Sequence, residues 1–195
     1  MNKLRLVRHF AAALSATAVA STQAAVIHWS DANLVIPATY EGLYINIEER
    51  TTGSGEDLAG WDMNPYGANG LLWYQPVGGG VLRIEDTAGP SNLALGALVG
   101  AGGLFDEESV TEFGAQPYNW NFDASNYFGF SFEASDGLLH YGWGRMDIGA
   151  ASTNRVLAEL AYEDVAGASI AVGAVPAPGA LALIGLAGLL GRRRR

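Results

Sequence analysis

The 195-residue chain contains no cysteine and few basic residues. Without cysteine it can form neither disulfide bonds nor thiolate metal sites, and it has no cysteine nucleophile. Its one lysine is Lys3, and the stretch 25–191 carries only four arginines beside all 20 acidic residues of the chain. A body of this charge cannot neutralise many phosphates, so the composition argues against nucleic-acid binding and against adhesion to anionic lipid.

The chain also lacks a hydrophobic run of the roughly 20 residues that normally span a bilayer. Its N-terminal run covers residues 10–20, follows the basic Lys3, Arg5 and Arg8, and precedes small residues. Charged, hydrophobic and small-residue segments in this order are typical of a secretory signal peptide. We therefore predict a signal-peptide helix over residues 1–24 with cleavage after Ala24. An uncleaved membrane helix is the alternative, for which the run is short.

The C-terminal segment 175–195 reads VPAPGALALIGLAGLLGRRRR. Its prolines keep the preceding residues extended, and its uncharged stretch 179–191 would span only about 20 Å as a helix. The arginines that end the chain favour the cytoplasmic side of a membrane; they are Arg192, Arg193, Arg194 and Arg195. These properties leave two interpretations open: a temporary membrane stop that a processing enzyme removes, or a simple membrane anchor.

This segment resembles the PEP-CTERM sorting signal of exported bacterial proteins. The resemblance rests on the motif Val175, Pro176, Ala177 and Pro178, followed by a Leu/Ala/Gly-rich stretch and the terminal arginines; Ala177 stands where the name-giving motif has Glu. It implies Sec export, recognition and cleavage by a membrane-embedded exosortase, transient residence in the inner membrane, and a final place at the cell surface or in an extracellular matrix. Many members of that family are associated with exopolysaccharide and biofilm formation.

The body, residues 25–173, is rich in glycine, and its apolar segments are short and separated by turn residues. This pattern predicts an all-β fold, a single antiparallel β-sandwich of jelly-roll type, followed by a sorting segment over 174–195 with a short hydrophobic helix. The segment order also resembles that of other PEP-CTERM bodies, which are thought to be β-sandwiches mostly without assigned activity. Phe128, Phe130 and Phe132 alternate with other residues before the turn 135–137, which predicts a hairpin. Residues 154–164 fit either a helix or a strand, and their neighbours favour a strand.

Other segments of the body give local predictions. Short strands are expected at 26–29, 42–48, 61–66, 70–75 and 81–86. Polar or acidic loops are expected at 51–57 and 106–108, and an aromatic loop packed on the sandwich at 116–122. The large aromatics Trp73, Trp120 and Trp143 are expected in the core.

The body contains no recognisable catalytic, metal-binding or cofactor motif, and we predict a non-enzymatic protein. Neither a Gly-x-Ser-x-Gly elbow nor a His-Glu-x-x-His helix accompanies His28 and His140, and His140 is expected to be structural. A glycoside hydrolase needs two carboxylates about 5 to 9.5 Å apart. Glu133 and Asp147 are candidates on neighbouring strands, although solvated strand faces explain them more simply.

One short segment predicts a ligand site, formed by Trp61, Asp62, Asn64 and Tyr66. Aromatic faces stack on sugar rings, and carboxylate or amide oxygens bind hydroxyl groups or calcium. A lectin-like carbohydrate-binding module, with exopolysaccharide as a possible partner, is therefore the alternative function. The structural alternative is a turn at Asn64-Pro65 held by local Asx hydrogen bonds.

Overall fold

The computed structural model describes residues 25–84, 87 and 89–176. Within these residues the chain is all-β, its sheets are antiparallel, and no helix is long and apolar enough to cross a membrane. The predicted terminal helices lie outside the described residues. The same holds for part of the predicted sites, namely Ala24, Ala177, Pro178, Arg192, Arg193, Arg194 and Arg195.

Fourteen strands follow one another along the described chain. They are β1 (Val26–Trp29), β2 (Leu34–Val35), β3 (Tyr44–Asn46), β4 (Thr51–Gly53), β5 (Asn64–Tyr66), β6 (Leu72–Tyr74), β7 (Gly80–Arg83), β8 (Leu98–Val99), β9 (Leu104–Asp106), β10 (Glu108–Val110), β11 (Ala124–Glu133), β12 (Leu139–Ile148), β13 (Arg155–Glu163) and β14 (Ile170–Ala171).

A seven-stranded main sheet organises the fold, in the order β1-β13-β12-β11-β7-β9 with β2 also paired to β13. The predicted hairpin is confirmed, because β11 and β12 pair from Ala124 opposite Ile148 to Glu133 opposite Leu139. The ambiguous segment 154–164 contains strand β13, as its neighbours favoured. The register between β12 and β13 shifts at Arg145 and Met146, which marks a β-bulge.

The two faces of the main sheet carry separate hydrophobic clusters, because side chains alternate along a strand. Phe128, Phe130 and Phe132 of one face pack in a cluster with residues of the strand pair β3-β4 and of the three-stranded sheet β10-β6-β5. Tyr141 and Trp143 of the other face pack in a cluster with residues of the pair β8-β14. The main sheet is therefore covered on both faces.

The three core tryptophans are confirmed, and each also satisfies its indole N–H. Trp73 and Trp120 are fully buried and Trp143 is nearly so. Their Nε1 atoms donate to Thr111 Oγ1 at 2.8 Å, to Pro90 O at 2.8 Å and to Ala174 O at 3.0 Å, respectively. Buried indoles normally need such a partner.

Two local predictions hold only in part, and a third was wrong. The polar stretch 51–57 begins with β4, which pairs with β3. In the acidic stretch 106–108, Asp106 ends β9 and Glu108 begins β10; both are edge strands, where charged side chains are common. The predicted turn at Asn64-Pro65 lies inside β5, where proline is tolerated because β5 is an edge strand.

Candidate functional site

The segment 61–66 lies between two surface clefts, and the predicted ligand residues are divided between them. Trp61 and Asp62 line the first, the acidic cleft, of about 300 Å³; its other lining residues include Glu48, Glu49, Glu133 and Ser135. Asn64 and Tyr66 line the second, the tyrosine cleft, of about 260 Å³; its other lining residues are Tyr40, Tyr44, Glu56, Tyr74 and Glu108. The four predicted residues therefore do not form one site.

The polar side chains of this segment bond to the chain that precedes it. Asp62 Oδ2 accepts a 2.6 Å hydrogen bond from the backbone N–H of Ile47, and Asn64 Nδ2 donates to Glu41 O at 3.0 Å. The Asx-turn interpretation is therefore wrong, since both bonds reach more than ten residues along the sequence. They fasten segment 61–66 to segment 41–47.

The tyrosine cleft is built on the outer face of the three-stranded sheet. Asn64, Tyr74 and Glu108 lie directly opposite one another across β5, β6 and β10. Side chains in such a row share one face, which here is opposite the face that carries buried Trp73. The sheet register thus brings an amide, a phenol and a carboxylate together from three strands.

Gly42 allows the segment 40–44 to approach β5 and complete the tyrosine cleft. Gly42 adopts a φ of 64°, and a Cβ there would lie 2.3 Å from Pro65 O. A larger residue would therefore push this segment away from β5. The close approach places Tyr40 and Tyr44, on either side of Gly42, against the cleft.

Trp61 stands behind the tyrosine cleft and supports two of its walls. Its ring meets the Tyr44 ring edge to face at 4.9 Å between centroids, and it meets the Tyr74 ring at 5.4 Å with a 43° tilt. Aromatic contacts of this kind stabilise ring positions. Tyr44 is only 6% exposed, whereas Tyr40 is 78% exposed. The cleft therefore has a fixed inner wall and an exposed rim.

The charge of the tyrosine cleft is negative. Glu56 and Glu108 are exposed lining residues, and none of the lining residues is basic. The pKa of the Tyr44 hydroxyl is raised, mainly by burial and additionally by the charges of Glu56 and Glu41, and a hydrogen bond with the Asn64 side chain partly offsets this rise. Asn64, which is 3% exposed, has a buried Oδ1 without a hydrogen-bond partner among the described residues.

The acidic cleft contains a carboxyl group that resists ionisation. The pKa of Asp62 is raised to about 7, mainly by burial and to a smaller extent by the charge of Glu48, although the hydrogen bond from the Ile47 N–H partly offsets both. The Glu48 carboxylate is itself occupied, because it accepts hydrogen bonds from the backbone N–H of Ser135 at 2.6 Å and from Ser135 Oγ at 3.2 Å. The described residues contain no group of three or more His, Cys, Asp or Glu side chains placed to hold a metal ion.

The remaining candidates from the sequence occupy structural positions or lie apart. His140 is buried, with Nδ1 2.8 Å from Glu163 O and Nε2 3.3 Å from Asp136 Oδ2. Glu133 pairs with Leu139, whereas Asp147 lies eight residues farther along β12, about 26 Å away at ~3.3 Å per residue. Glu133 and Asp147 therefore cannot flank one glycosidic bond.

Sequence reasoning missed most of the tyrosine cleft. Tyr74 was the residue that could have been found, because it alternates with core Trp73 and must face away from the core. Glu56 and Glu108 gave no signal, since each looked like part of a solvated acidic stretch.

Comparison of the chain with family models, with curated proteins and with solved structures gave no significant match.

Proposed function

We propose that the protein is exported and sorted at the membrane by its C-terminal segment. Its β body then serves a non-enzymatic role at the cell surface or in an extracellular matrix. The proposal is carried by the accessibility of Val175 and Pro176, the two residues of the motif that the structure describes. Trp143 Nε1 donates a hydrogen bond to Ala174 O, so Ala174 is still attached to the body. The next residues are accessible: Val175 is 51% exposed and Pro176 is exposed. An accessible start of the segment is what a processing enzyme such as an exosortase needs.

The N-terminal end of the body is compatible with signal-peptide removal after Ala24. Ala25 is already part of the fold, because its N–H donates to Asp164 Oδ1 at 2.8 Å and its carbonyl accepts from the Asp164 N–H at 3.0 Å. Cleavage at this point would leave β1 complete. We accordingly propose a signal peptide over 1–24, a jelly-roll-like β-sandwich body over 25–173 and a sorting segment over 174–195.

Deletion of residues 175–195 tests the sorting proposal. The full-length protein should pass through the inner membrane and accumulate at the surface or in the medium as a form that lacks the terminal arginines. The deletion variant should be exported but distributed differently, as measured by fractionation, immunoblotting and intact mass. A matched control is Arg50→Gln, an exposed arginine outside the segment, which should leave the distribution unchanged.

Two results would contradict this proposal in different ways. An unaltered distribution of the deletion variant would mean that the segment does not sort the protein. A membrane-bound product whose mass still includes the four arginines, in a host with an active exosortase, would establish a permanent anchor instead.

Carbohydrate binding by the body is the second candidate function. It is favoured by the tyrosine cleft, where Tyr66 and Tyr74 lie on the exposed face of neighbouring strands beside polar acceptors. A glycan array probed with and without calcium should show specific binding, and Tyr74→Leu should abolish it. Binding no higher than background across the array would remove this candidate.

A further inference from the structure

We propose that the tyrosine cleft binds a cationic amine, held between tyrosine faces and two carboxylates. This inference is independent of export and sorting. It depends only on the cleft being a ligand site, and it names the chemistry that the ligand must carry.

The walls of the cleft suit a cation because they are aromatic on several sides. Tyr66 and Tyr74 come from two strands of the outer sheet face, and Tyr40 and Tyr44 come from the segment around Gly42. A tyrosine ring attracts a cation that lies over its face within about 6 Å of the ring centroid. At about 260 Å³ the cavity is below the roughly 300 Å³ at which pockets for drug-sized ligands begin. The cleft therefore fits a compact head group better than an extended oligosaccharide chain.

The charges around the cleft favour a ligand that carries a positive charge. Glu56 and Glu108 are exposed at the lining, and the raised pKa of Tyr44 reflects in part the negative field of Glu56 and Glu41. The described arginines contact other groups: Arg50 donates to His28 O, Arg83 pairs with Asp106, Arg145 pairs with Glu159, and Arg155 donates to backbone carbonyls. An anionic ligand would be repelled, and a neutral sugar could use the two carboxylates only as hydrogen-bond acceptors, without the charge attraction that a cation gains.

Asn64 lies at the inner wall of the cleft, but its polar atoms are already enclosed. It is 97% buried, its Nδ2 donates to Glu41 O at 3.0 Å, and its side chain also interacts with the Tyr44 hydroxyl. Its Oδ1 is buried and faces Gly42, so a ligand in the cleft does not reach it. The tyrosine faces and the two carboxylates therefore carry the recognition, and they would accept a primary or a methylated ammonium group.

Pairs of ligands that have similar shapes but differ in charge can show whether the charge drives binding. Choline would be compared with its neutral isostere 3,3-dimethylbutan-1-ol, and glucosamine with glucose. Each would be titrated into the full-length protein by calorimetry and by fluorescence, because Trp61 contacts Tyr44 and Tyr74. We expect at least one cation to bind at least 10-fold more tightly than its neutral partner, and less tightly as salt is raised. Preference for choline would assign a methylated amine, and preference for glucosamine a primary amine.

Matched variants keep the test specific. Glu56→Gln with Glu108→Gln should reduce the preference for the cation several-fold, and Tyr74→Leu should abolish binding. Glu49→Gln in the acidic cleft and Tyr118→Leu at an exposed position elsewhere should change neither. If Tyr74→Leu does not fold, the exposed Tyr40→Leu replaces it and should weaken binding at least threefold.

Binding in which neither choline nor glucosamine is preferred over its neutral partner would overturn the cation proposal, and equal binding of glucosamine and glucose in that case would leave the carbohydrate candidate standing. The absence of binding by all four probes would overturn the proposal outright. A cation preference that survives the double Glu→Gln substitution would also contradict it. None of these results bears on export or sorting, which are read from the location and mass of the protein.

Discussion

The ring of Phe130 on β11 lies over Gly142 on β12, the residue with which it is directly paired. A Cβ at Gly142 would be 2.2 Å from Phe130 Cζ and 2.6 Å from Ala161 O. Phe128 has the same relationship to Gly144, where a Cβ would be 2.5 Å from Phe128 Cζ. Because Gly142 and Gly144 have no side chain, they leave the space that the rings of Phe130 and Phe128 occupy.

Gly142→Ala should destabilise the protein by about 1–3 kcal/mol, because overpacking would force both the Phe130 ring and the β13 backbone to move. Urea unfolding followed by fluorescence measures the change. Gly55→Ala is the matched control, since a Cβ there would meet nothing within 4 Å, and its effect should stay within about 0.5 kcal/mol. Equal stabilities of the two variants would show that the ring does not need the glycine.

A second relationship joins the main sheet to the sheet that carries the tyrosine cleft. The Arg155 guanidinium is buried and donates to the carbonyls of Pro37 at 2.7 Å and Gly67 at 2.8 Å, and also to Gly70 O. No carboxylate pairs with it among the described residues, and burial lowers its pKa. Backbone carbonyls alone thus hold a buried charge and fix the β5–β6 connection next to Tyr66.

Arg155→Met should cost at least about 3 kcal/mol of folding free energy, because it removes several charge-assisted hydrogen bonds and leaves buried carbonyls without donors. Arg155→Lys should lose nearly as much folding free energy, because a single ammonium group cannot reach several separated carbonyls as a guanidinium can. The exposed Arg50→Met, which removes one bond to His28 O, should cost about 0.5 kcal/mol or less. Chemical unfolding of the three variants checks this order, and it is refuted if Arg155→Met unfolds like Arg50→Met.

The features that could be predicted from the sequence are those whose partners are close along the chain. The β11–β12 hairpin was predictable because Phe128, Phe130 and Phe132 alternate immediately before a tight turn. The pairing of β13 with β12 followed from the next segment in order. Local alternation also placed Tyr141 and Trp143 on one face, as the structure confirms.

The tyrosine cleft and the role of Arg155 could not be predicted, because their contacts join distant segments. Tyr74 meets Glu108 only through the register of β6 with β10, and Arg155 reaches carbonyls 85 or more residues away. Asn64-Pro65 has the composition of a turn, yet tertiary bonds to segment 41–47 hold it in an edge strand. Local turn propensity was overridden there by long-range hydrogen bonds.

The pKa of Asp62, raised to about 7 by burial, predicts a specific pH dependence of stability. The unfolded carboxyl titrates near 3.8, so between that pH and 7 the folded protein binds more protons than the unfolded one. Stability should therefore fall as pH rises through this window and level off above it. Ionisation of Asp62 accounts for a loss of up to about 4 kcal/mol, at about 1.4 kcal/mol per pKa unit.

Asp62→Asn should remove this dependence while keeping the Ile47 N–H bonded, because an amide oxygen can accept the same hydrogen bond. The variant should match the parent near pH 4 and exceed it in unfolding free energy at pH 8. Asp62→Ala should be less stable than Asp62→Asn at both pH values, by about 1–3 kcal/mol, since it leaves the buried Ile47 N–H unpaired. Urea unfolding at each pH, with exposed Asp57→Asn as the control, measures these differences. If the parent and Asp62→Asn differ by the same amount at pH 4 and pH 8, Asp62 does not titrate in this window.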